Sequence, residues 1–102
     1  MNWIRFEWDP EKNLANQRKH EISFQLATRV FKDPLFVSIK DRIVDGEQRW
    51  QTFGKVGESL ILMVAHTSWE EDADVGIVEV IRVISAREAT RRERESYEIE
   101  NR

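Results

Sequence analysis

The strongest hydrophobic pattern in the chain is the run from residue 77 to residue 84, which holds only Ile and Val apart from Glu79 and Arg82. Such a run of β-branched residues predicts a buried strand. Ser85 follows the run and Glu88 comes soon after it, a spacing typical of a capped helix N-terminus. The pattern therefore predicts a strand over 77–84 that leads directly into an arginine-rich helix.

On that predicted helix, Arg87, Arg91 and Arg94 have helical spacing and share one face. Two interpretations are open. Either these arginines form a basic patch, or they belong to a solvated helix in which the interspersed glutamates pair with them. Arg82 differs from them, because a charge inside a strand of Ile and Val is costly unless it is paired or faces a cleft.

The first part of the chain predicts one strand and two helices. Residues 3–8 alternate between two sides of a half-buried strand. Asp9 and Pro10 follow, and they favour a helix over 10–19 because Asp caps helices well and Pro fits the first helical position. A second helix is predicted over 24–31, where apolar residues fall on one stripe.

The middle of the chain predicts three further strands, over 35–42, 48–53 and 59–67. Turns are predicted between them at 45–46 and at 54–57, because both segments contain glycine. The third of these strands is apolar on both faces, which indicates a central position in the sheet.

Together these elements predict an α+β fold with the order β-α-α-β-β-β-β-α, in which helices pack on one small antiparallel sheet. Short links between the last four strands predict a meander. The stretch 68–75 is rich in acidic residues and is predicted to be a loop.

A chain of 102 residues is long enough for one core, so residues 1–102 are expected to form a single domain.

The overall charge argues against a protein that binds nucleic acid over its whole surface. The formal net charge is −3, whereas such proteins normally carry a strong basic excess. Any nucleic-acid role must therefore rest on a local basic patch.

Neither a membrane segment nor a secretion signal is expected. No apolar run approaches the roughly 20 residues that cross a bilayer, and residues 1–8 lack a signal-peptide pattern. The chain has no cysteine, which excludes disulfides and thiolate metal sites. A cytoplasmic location is the expectation that follows.

No cofactor or metal ion is expected either. The chain lacks a glycine-rich phosphate loop and a serine-elbow motif. Two histidines without any cysteine argue against a zinc site. The acidic stretch lacks the spacing of a calcium-binding loop.

Two histidines and several cations are the candidate site residues. His20 follows Lys19 in a break between the two helices, where it is available as an acid or a base. His66 ends the predicted central strand, where it is either a hydrogen-bonded structural residue or an acid–base group. Arg49 lies on the most polar strand and is expected to share a sheet face with Arg82.

These residue types suit one reaction in particular. Cleavage of RNA without a metal needs a group that takes the 2′-hydroxyl proton, a group that protonates the leaving oxygen, and cations that stabilise charge on phosphorus. Arginine suits the last role because its forked donors match phosphate oxygens. The residues are sufficient for this chemistry, although many inert domains hold as many.

The chain also carries an ordered set of motifs over almost its whole length. They are Phe6-Glu7-Trp8-Asp9-Pro10, Lys19-His20, Phe31-Lys32-Asp33-Pro34, Gly46-Glu47 with Arg49, and Arg82-Val83-Ile84-Ser85-Ala86-Arg87. In this order and spacing they resemble the BrnT family of type II toxin–antitoxin toxins.

The resemblance implies a RelE-like ribonuclease fold and a small toxin that cleaves RNA and inhibits translation. It also implies a neighbouring BrnA-type antitoxin with a ribbon-helix-helix DNA-binding part. The toxin would then contact promoter DNA only through that antitoxin.

The leading hypothesis is therefore a metal-independent endoribonuclease. Its six candidate catalytic residues are Lys19, His20, Arg49, Arg82, Arg87 and His66. Lys19 and His20 are assigned to proton transfer or phosphate contact. The three arginines are assigned to holding the phosphate.

Two departures from the family pattern support a second hypothesis. Glu21 stands where the family usually has glycine after the Lys-His pair, and Ser68-Trp69 stand where an arginine often follows the position of Thr67. The alternative is a degenerate, catalytically weak toxin that binds an antitoxin and acts as a co-repressor.

Overall fold

The computed structural model describes residues 3–101. The strands are β1 (Trp3–Glu7), β2 (Val37–Val44), β3 (Glu47–Val56), β4 (Leu60–Ala73) and β5 (Gly76–Glu88). The α-helices are α1 (Pro10–His20), α2 (Phe24–Ala27) and α3 (Arg91–Glu100), and α2 continues as a 3-10 helix over Thr28–Lys32. The predicted α+β class and element order are confirmed.

All five strands form one sheet in the order β1-β5-β4-β3-β2. The prediction of a wholly antiparallel sheet is wrong at β1, which runs parallel to β5, whereas the other neighbouring pairs are antiparallel. The predicted meander of the last four strands is confirmed. So is the central position of β4, whose apolar residues lie on both faces of the sheet.

Helix α1 begins where its sequence predicts and ends at His20, one residue later than predicted. The Asp9 carboxylate accepts the Glu11 amide at 2.9 Å, and Pro10 takes the first helical position. Glu21 ends the helix in the left-handed conformation, with φ of 61°. An Asn or Gly suits that conformation better than a glutamate does.

The buried face of α1 is polar, and Asn16 is its central contact. Pairing of β1 with β5 ends at Glu7 and Arg82, so β5 has a free edge beyond that point. The Asn16 amide fills this edge, because its Nδ2 donates to the Ala86 carbonyl at 2.8 Å and its Oδ1 accepts the Ala86 amide at 3.1 Å. Asn16 Nδ2 also donates to the Ile22 carbonyl at 2.8 Å. One side chain thus replaces a strand neighbour.

Each face of the sheet has its own apolar cluster. The face under α1, α2 and the 3-10 helix, here the helix-pair face, buries Phe24, Val30, Leu62 and Val64. The opposite face, here the α3 face, buries a smaller cluster of Phe53, Ile61, Met63, Ala89 and Tyr97. Helix α3 therefore covers only one end of its face.

The predicted helix start at Ser85 and Glu88 is wrong, because β5 continues to Glu88. Ser85 pairs with Ala65 of β4 and the pairing continues through the next residues. The helix begins later, where Thr90 and Glu93 form a reciprocal capping box.

Arg87 consequently lies on a strand, and the prediction that it shares a helix face with Arg91 and Arg94 is wrong. Only the latter two are on α3.

The predicted loop over 68–75 is also wrong for most of its length. β4 runs to Ala73 and pairs with β5 as far as Gly76. Trp69 lies beside the buried Val80 in this hairpin, and the long-range pairing outweighs the acidic composition.

The predicted turn over 54–57 is narrower than expected, because Gly54 lies within β3. A Cβ atom at Gly54 would come within 2.6 Å of Val30 Cγ1, so the 3-10 helix packs directly on this backbone. The turn itself follows Val56 and includes Gly57, with φ of 73°.

Within residues 3–101, no helix is long and apolar enough to cross a membrane.

Candidate active site

Arg49, Thr67 and Arg82 form a row across the α3 face of the sheet. The register that pairs Trp50 with His66 places Arg49 beside Thr67, whose other neighbour is Arg82. Because neighbouring strands lie about 4.8 Å apart, the two arginine backbones are separated by about 10 Å. The predicted sharing of one sheet face by the two arginines follows from this register.

Two buried polar atoms of this row have no hydrogen-bond partner within residues 3–101. They are Arg49 Nε, a donor, and Thr67 Oγ1, which donates and accepts. Thr67 is only 1% exposed. Most buried polar groups in native proteins are paired, so two unpaired ones on neighbouring strands make this row a candidate site for a polar ligand.

Arg82 is exposed, so its charge is solvated and not buried among the Ile and Val side chains of β5. Ile81 and Val83 point to the helix-pair face and are buried, whereas Arg82 points to the α3 face. It forms no salt bridge in the part of the chain that the structure describes. Glu7 is its cross-strand neighbour in β1 and lies on the same face, but the Glu7 carboxylate pairs with Arg5 at 3.9 Å, so the Arg82 guanidinium can receive an anion from solvent.

A β-bulge at Ile84 brings Arg87 to the same face as Arg82. β4 pairs Ala65 with Ser85 and His66 with Val83, so β5 carries one extra residue between them. Without it, Arg82 and Arg87 would face opposite sides, because their separation in sequence is odd. The bulge thus directs both arginines to the α3 face.

Arg87 is held by Glu93 of α3. Its two terminal nitrogens donate to the two Glu93 carboxylate oxygens at 2.7 Å and 3.0 Å. This hydrogen-bonded pair lowers the pKa of Glu93 to about 2, against the opposing effect of desolvation, and it raises the pKa of Arg87. Arg87 therefore fixes α3 to the sheet, and less of its fork is free for a phosphate than in Arg82.

The Arg87–Glu93 pair predicts an acid-sensitive contribution to stability. The folded-state pKa of Glu93 is about 2 and its ordinary value is 4.5. A lowered carboxylate pKa gives stability that is present above pH 4.5 and lost as pH falls toward 2. Glu93→Gln should therefore melt at a lower temperature than wild type at neutral pH, with the difference shrinking between pH 4.5 and 2.

The matched control is Glu95→Gln, which removes a more exposed carboxylate from the same helix. It should leave the pH dependence of the melting temperature close to that of wild type. A Glu93→Gln deficit that stays constant from neutral pH to pH 2 would contradict the prediction.

Lys19 and His20 lie at the end of α1, beside the free edge of β5. With Lys12 they surround a small cavity of about 220 Å³ that Ile84 and Ser85 also line. Ser85 is three residues along β5 from Arg82. The structure therefore brings these two candidates to the edge that borders the arginine row, without placing them in the row.

His66 lies on the helix-pair face, away from the arginines. Its ring packs edge-on against Phe31, with 5.2 Å between ring centres. Nδ1 faces the Thr67 carbonyl at 3.3 Å and Nε2 lies 2.7 Å from the Thr52 hydroxyl. Because a carbonyl only accepts, Nδ1 carries the proton and Nε2 accepts from Thr52.

Burial lowers the pKa of His66, which favours the neutral ring. The Thr52 hydroxyl in turn lies 2.6 Å from Ser38 Oγ. This geometry fits the structural alternative for His66, and the structure does not bring its side chain together with the other candidates.

Thr67 is the site residue that sequence reasoning did not select. Its type carries no specific signal, and only the cross-strand register shows that it lies between two arginines.

Within residues 3–101, no three His, Cys, Asp or Glu side chains lie close enough together to hold a metal ion. The row of Arg49, Thr67 and Arg82 instead offers two guanidiniums and a hydroxyl. Such donors suit the oxygens of a phosphodiester.

Comparison with known proteins agrees with this chemistry. The family model described as "Ribonuclease toxin, BrnT, of type II toxin-antitoxin system" matches residues 8–93. That match includes every candidate residue discussed above.

The fold is similar to the 1.1 Å crystal structure of the Brucella abortus ribonuclease toxin BrnT. The two share 23% sequence identity over 89% of this chain and 99% of that one, with a TM-score of 0.53. No curated protein sequence matches the chain.

Proposed function

Because the chain belongs to the BrnT family of ribonuclease toxins from type II toxin–antitoxin systems, we propose that it binds the RNA phosphate on the row of Arg49, Thr67 and Arg82. The observation that carries this proposal is the pair of unpartnered buried atoms in the row, Arg49 Nε and Thr67 Oγ1. A phosphodiester supplies the acceptors that both need. The exposed guanidinium of Arg82 adds a second charge to the same face.

The reaction we propose needs no metal ion. The 2′-oxygen of one nucleotide bonds to phosphorus while the bond from phosphorus to the 5′-oxygen of the next nucleotide breaks. A base takes the 2′-hydroxyl proton and an acid returns one to the 5′-oxygen. The products are a 2′,3′-cyclic phosphate and a 5′-hydroxyl.

The arginines have the clearest role in this reaction. Negative charge increases on the phosphate oxygens in the transition state, and fixed guanidiniums stabilise it without reorganising. Arg49 is partly buried and Arg82 is exposed, so we assign Arg49 to positioning the phosphate and Arg82 to binding it as it enters. Arg87 contributes less, because Glu93 accepts one hydrogen bond from each of its two terminal nitrogens.

We assign proton transfer to residues beside the edge of β5. His20 and Lys19 are the candidates there, and His20 has the side chain that most often transfers protons in enzymes. An RNA strand that crosses from the arginine row past Ser85 would reach them.

The biological role follows from the family. A type II toxin has an antitoxin partner, and we propose that here it is a BrnA-type ribbon-helix-helix protein through which alone the complex contacts promoter DNA. RNA cleavage would inhibit translation in the cytoplasm. We also propose that the chain is one domain with a RelE-like arrangement.

The second candidate function is that of an antitoxin-binding co-repressor with little catalysis. One observation favours it: the guanidinium of Arg87 is occupied by a carboxylate of its own chain.

Expression of the chain alone separates the two functions. A ribonuclease toxin should arrest growth within about one generation of induction, and co-expression of its antitoxin should restore growth. An inactive binding module should have no effect on growth at the same protein level, measured by immunoblot. Normal growth with abundant folded protein would favour the co-repressor and contradict the ribonuclease proposal.

A further inference from the structure

The helix-pair face carries an open apolar groove, separate from the arginine row. Its volume is about 190 Å³ and its apolar walls are Ile4, Phe31, Phe36, Trp50 and Ile81. The groove exists because α1, α2 and the 3-10 helix cover only one end of this face. We call this feature the helix-pair groove.

The walls of the helix-pair groove include two side chains that folding leaves open to water. Ile4 is 45% exposed and Phe36 is 44% exposed. The ring of Phe36 packs against Phe31, with 5.9 Å between ring centres, so the two form a continuous aromatic wall. Large apolar side chains that line a concavity typically mark a place where a partner docks.

The side of the helix-pair groove formed by β4 and β5 is negative, whereas Lys40 of β2 pairs with Trp50 on the opposite side. Glu79 lines it, and the Ser68 hydroxyl donates to its carboxylate at 2.8 Å. Glu70 pairs with Glu79 across the hairpin, and Asp72 lies two residues further on the same strand face. Among the described residues that line the groove there is neither Lys nor Arg.

This charge distribution indicates which class of macromolecule binds in the helix-pair groove. Phosphate groups would be repelled by Glu79 and its neighbours, which disfavours RNA on this side of the groove. A basic protein segment is attracted instead. The volume is smaller than the roughly 300–1,000 Å³ of sites for small molecules, and it suits a single large side chain.

We propose that the helix-pair groove receives a large apolar side chain from a segment of the antitoxin that also carries Lys or Arg. The apolar side chain contacts the wall of Ile4, Phe31 and Phe36, and the basic residue pairs with Glu79. This inference rests on the proposed function only for the identity of the partner. It places the antitoxin contact and the RNA contact on opposite faces of one sheet.

Adjacent residues of β1 give a matched pair of variants. Ile4 faces the groove, whereas Trp3 faces the other side of the sheet and is 48% exposed, close to the 45% of Ile4. The probe is the antitoxin encoded beside this chain, purified separately and titrated by calorimetry. Ile4→Glu should raise the dissociation constant about tenfold or more, as expected for a truncated interface anchor. Trp3→Glu should change it by less than about twofold, as expected outside the anchor region.

Glu79→Gln is a second variant that keeps the hydrogen-bond acceptor for Ser68 and removes only the charge. It should weaken binding several-fold and lower its dependence on salt, as expected for loss of one ion pair. Circular dichroism checks that each variant is folded. If Ile4→Glu does not fold, the Glu79→Gln result alone decides the proposal.

Three results would overturn the proposal. They are no binding of the antitoxin by wild type, loss of binding in Trp3→Glu but not in Ile4→Glu, and unchanged affinity in Glu79→Gln. RNA cleavage by the wild type and by each variant is measured in parallel, without the antitoxin. A wild type that binds the antitoxin but leaves RNA intact contradicts the proposed function, while the comparison of variants still tests the groove.

Discussion

Replacement of Arg82 by alanine is expected to lower the rate of RNA cleavage by about 100-fold or more, the usual effect of losing one donor to a developing negative charge. The side chain is exposed and forms no salt bridge in the described part of the chain. Its removal should therefore cost binding of the phosphate and leave the fold intact. The measurement is single-turnover cleavage of a labelled RNA, with a thermal melt of the same sample.

Arg91→Ala is the control, because it removes the same charge from a side chain that is 93% exposed on α3. It should cleave RNA within about threefold of wild type, since screening weakens the effect of a distant surface charge. Equal losses in the two variants would show a general charge effect. Failure of the Arg82 variant to fold would show that Arg82 is structural, and either result would contradict its assignment.

Replacement of Asn16 by leucine is expected to destabilise the fold by about 3–5 kcal/mol, because each buried polar group left unpaired costs about 1–3 kcal/mol. The variant leaves the amide and the carbonyl of Ala86 without partners at the free edge of β5, and also the Ile22 carbonyl. Leucine is similar in size, so the loss measures hydrogen bonding more than packing. Equilibrium unfolding in urea gives the free energy directly.

Leu14→Ala on the same helix is the control, because Leu14 is 56% exposed. It should change the free energy of unfolding by less than about 0.5 kcal/mol, as surface substitutions usually do. A loss below about 1 kcal/mol for Asn16→Leu, the net value of one ordinary hydrogen bond, would show that the amide does not hold the edge of β5.

The order of helices and strands could be predicted from the sequence because alternation and helical periodicity are local. The residue at which β5 ends could not be predicted in this way. Residues 85–93 contain two serine- or threonine-led patterns with a later glutamate, one from Ser85 to Glu88 and one from Thr90 to Glu93. Both satisfy the local rule for a capped helix. Pairing of Ser85 with Ala65 decides between them, and that contact is far away in sequence.

The acidic part of the β4–β5 hairpin likewise could not be predicted from the local sequence. Composition predicts a loop over 68–75, yet Glu71 accepts hydrogen bonds from Trp69 and from Arg5 of β1 at 2.8 Å and 3.1 Å. These contacts join side chains on one face of the sheet and accommodate the acids in a strand. Only the strand order brings Arg5 within reach of Glu71.

The candidate site was predictable in part. Strand alternation suggested that Arg49 and Arg82 share a face, but the register of β3 and β5 against β4 is needed to establish this and to place Thr67 between them. The position of Arg87 depends on a bulge at Ile84, which no local pattern indicates. Its pairing with Glu93 depends on where α3 begins.

The most direct test of the central claim is cleavage of RNA by the purified chain in excess EDTA, with an otherwise identical strand that carries 2′-deoxy sugars as the comparison. The account predicts that the RNA is cut to fragments with 2′,3′-cyclic phosphate and 5′-hydroxyl ends, and that the deoxy strand stays intact because it lacks the attacking oxygen. Cleavage of the deoxy strand, or loss of RNA cleavage in EDTA with recovery on adding magnesium, would contradict it.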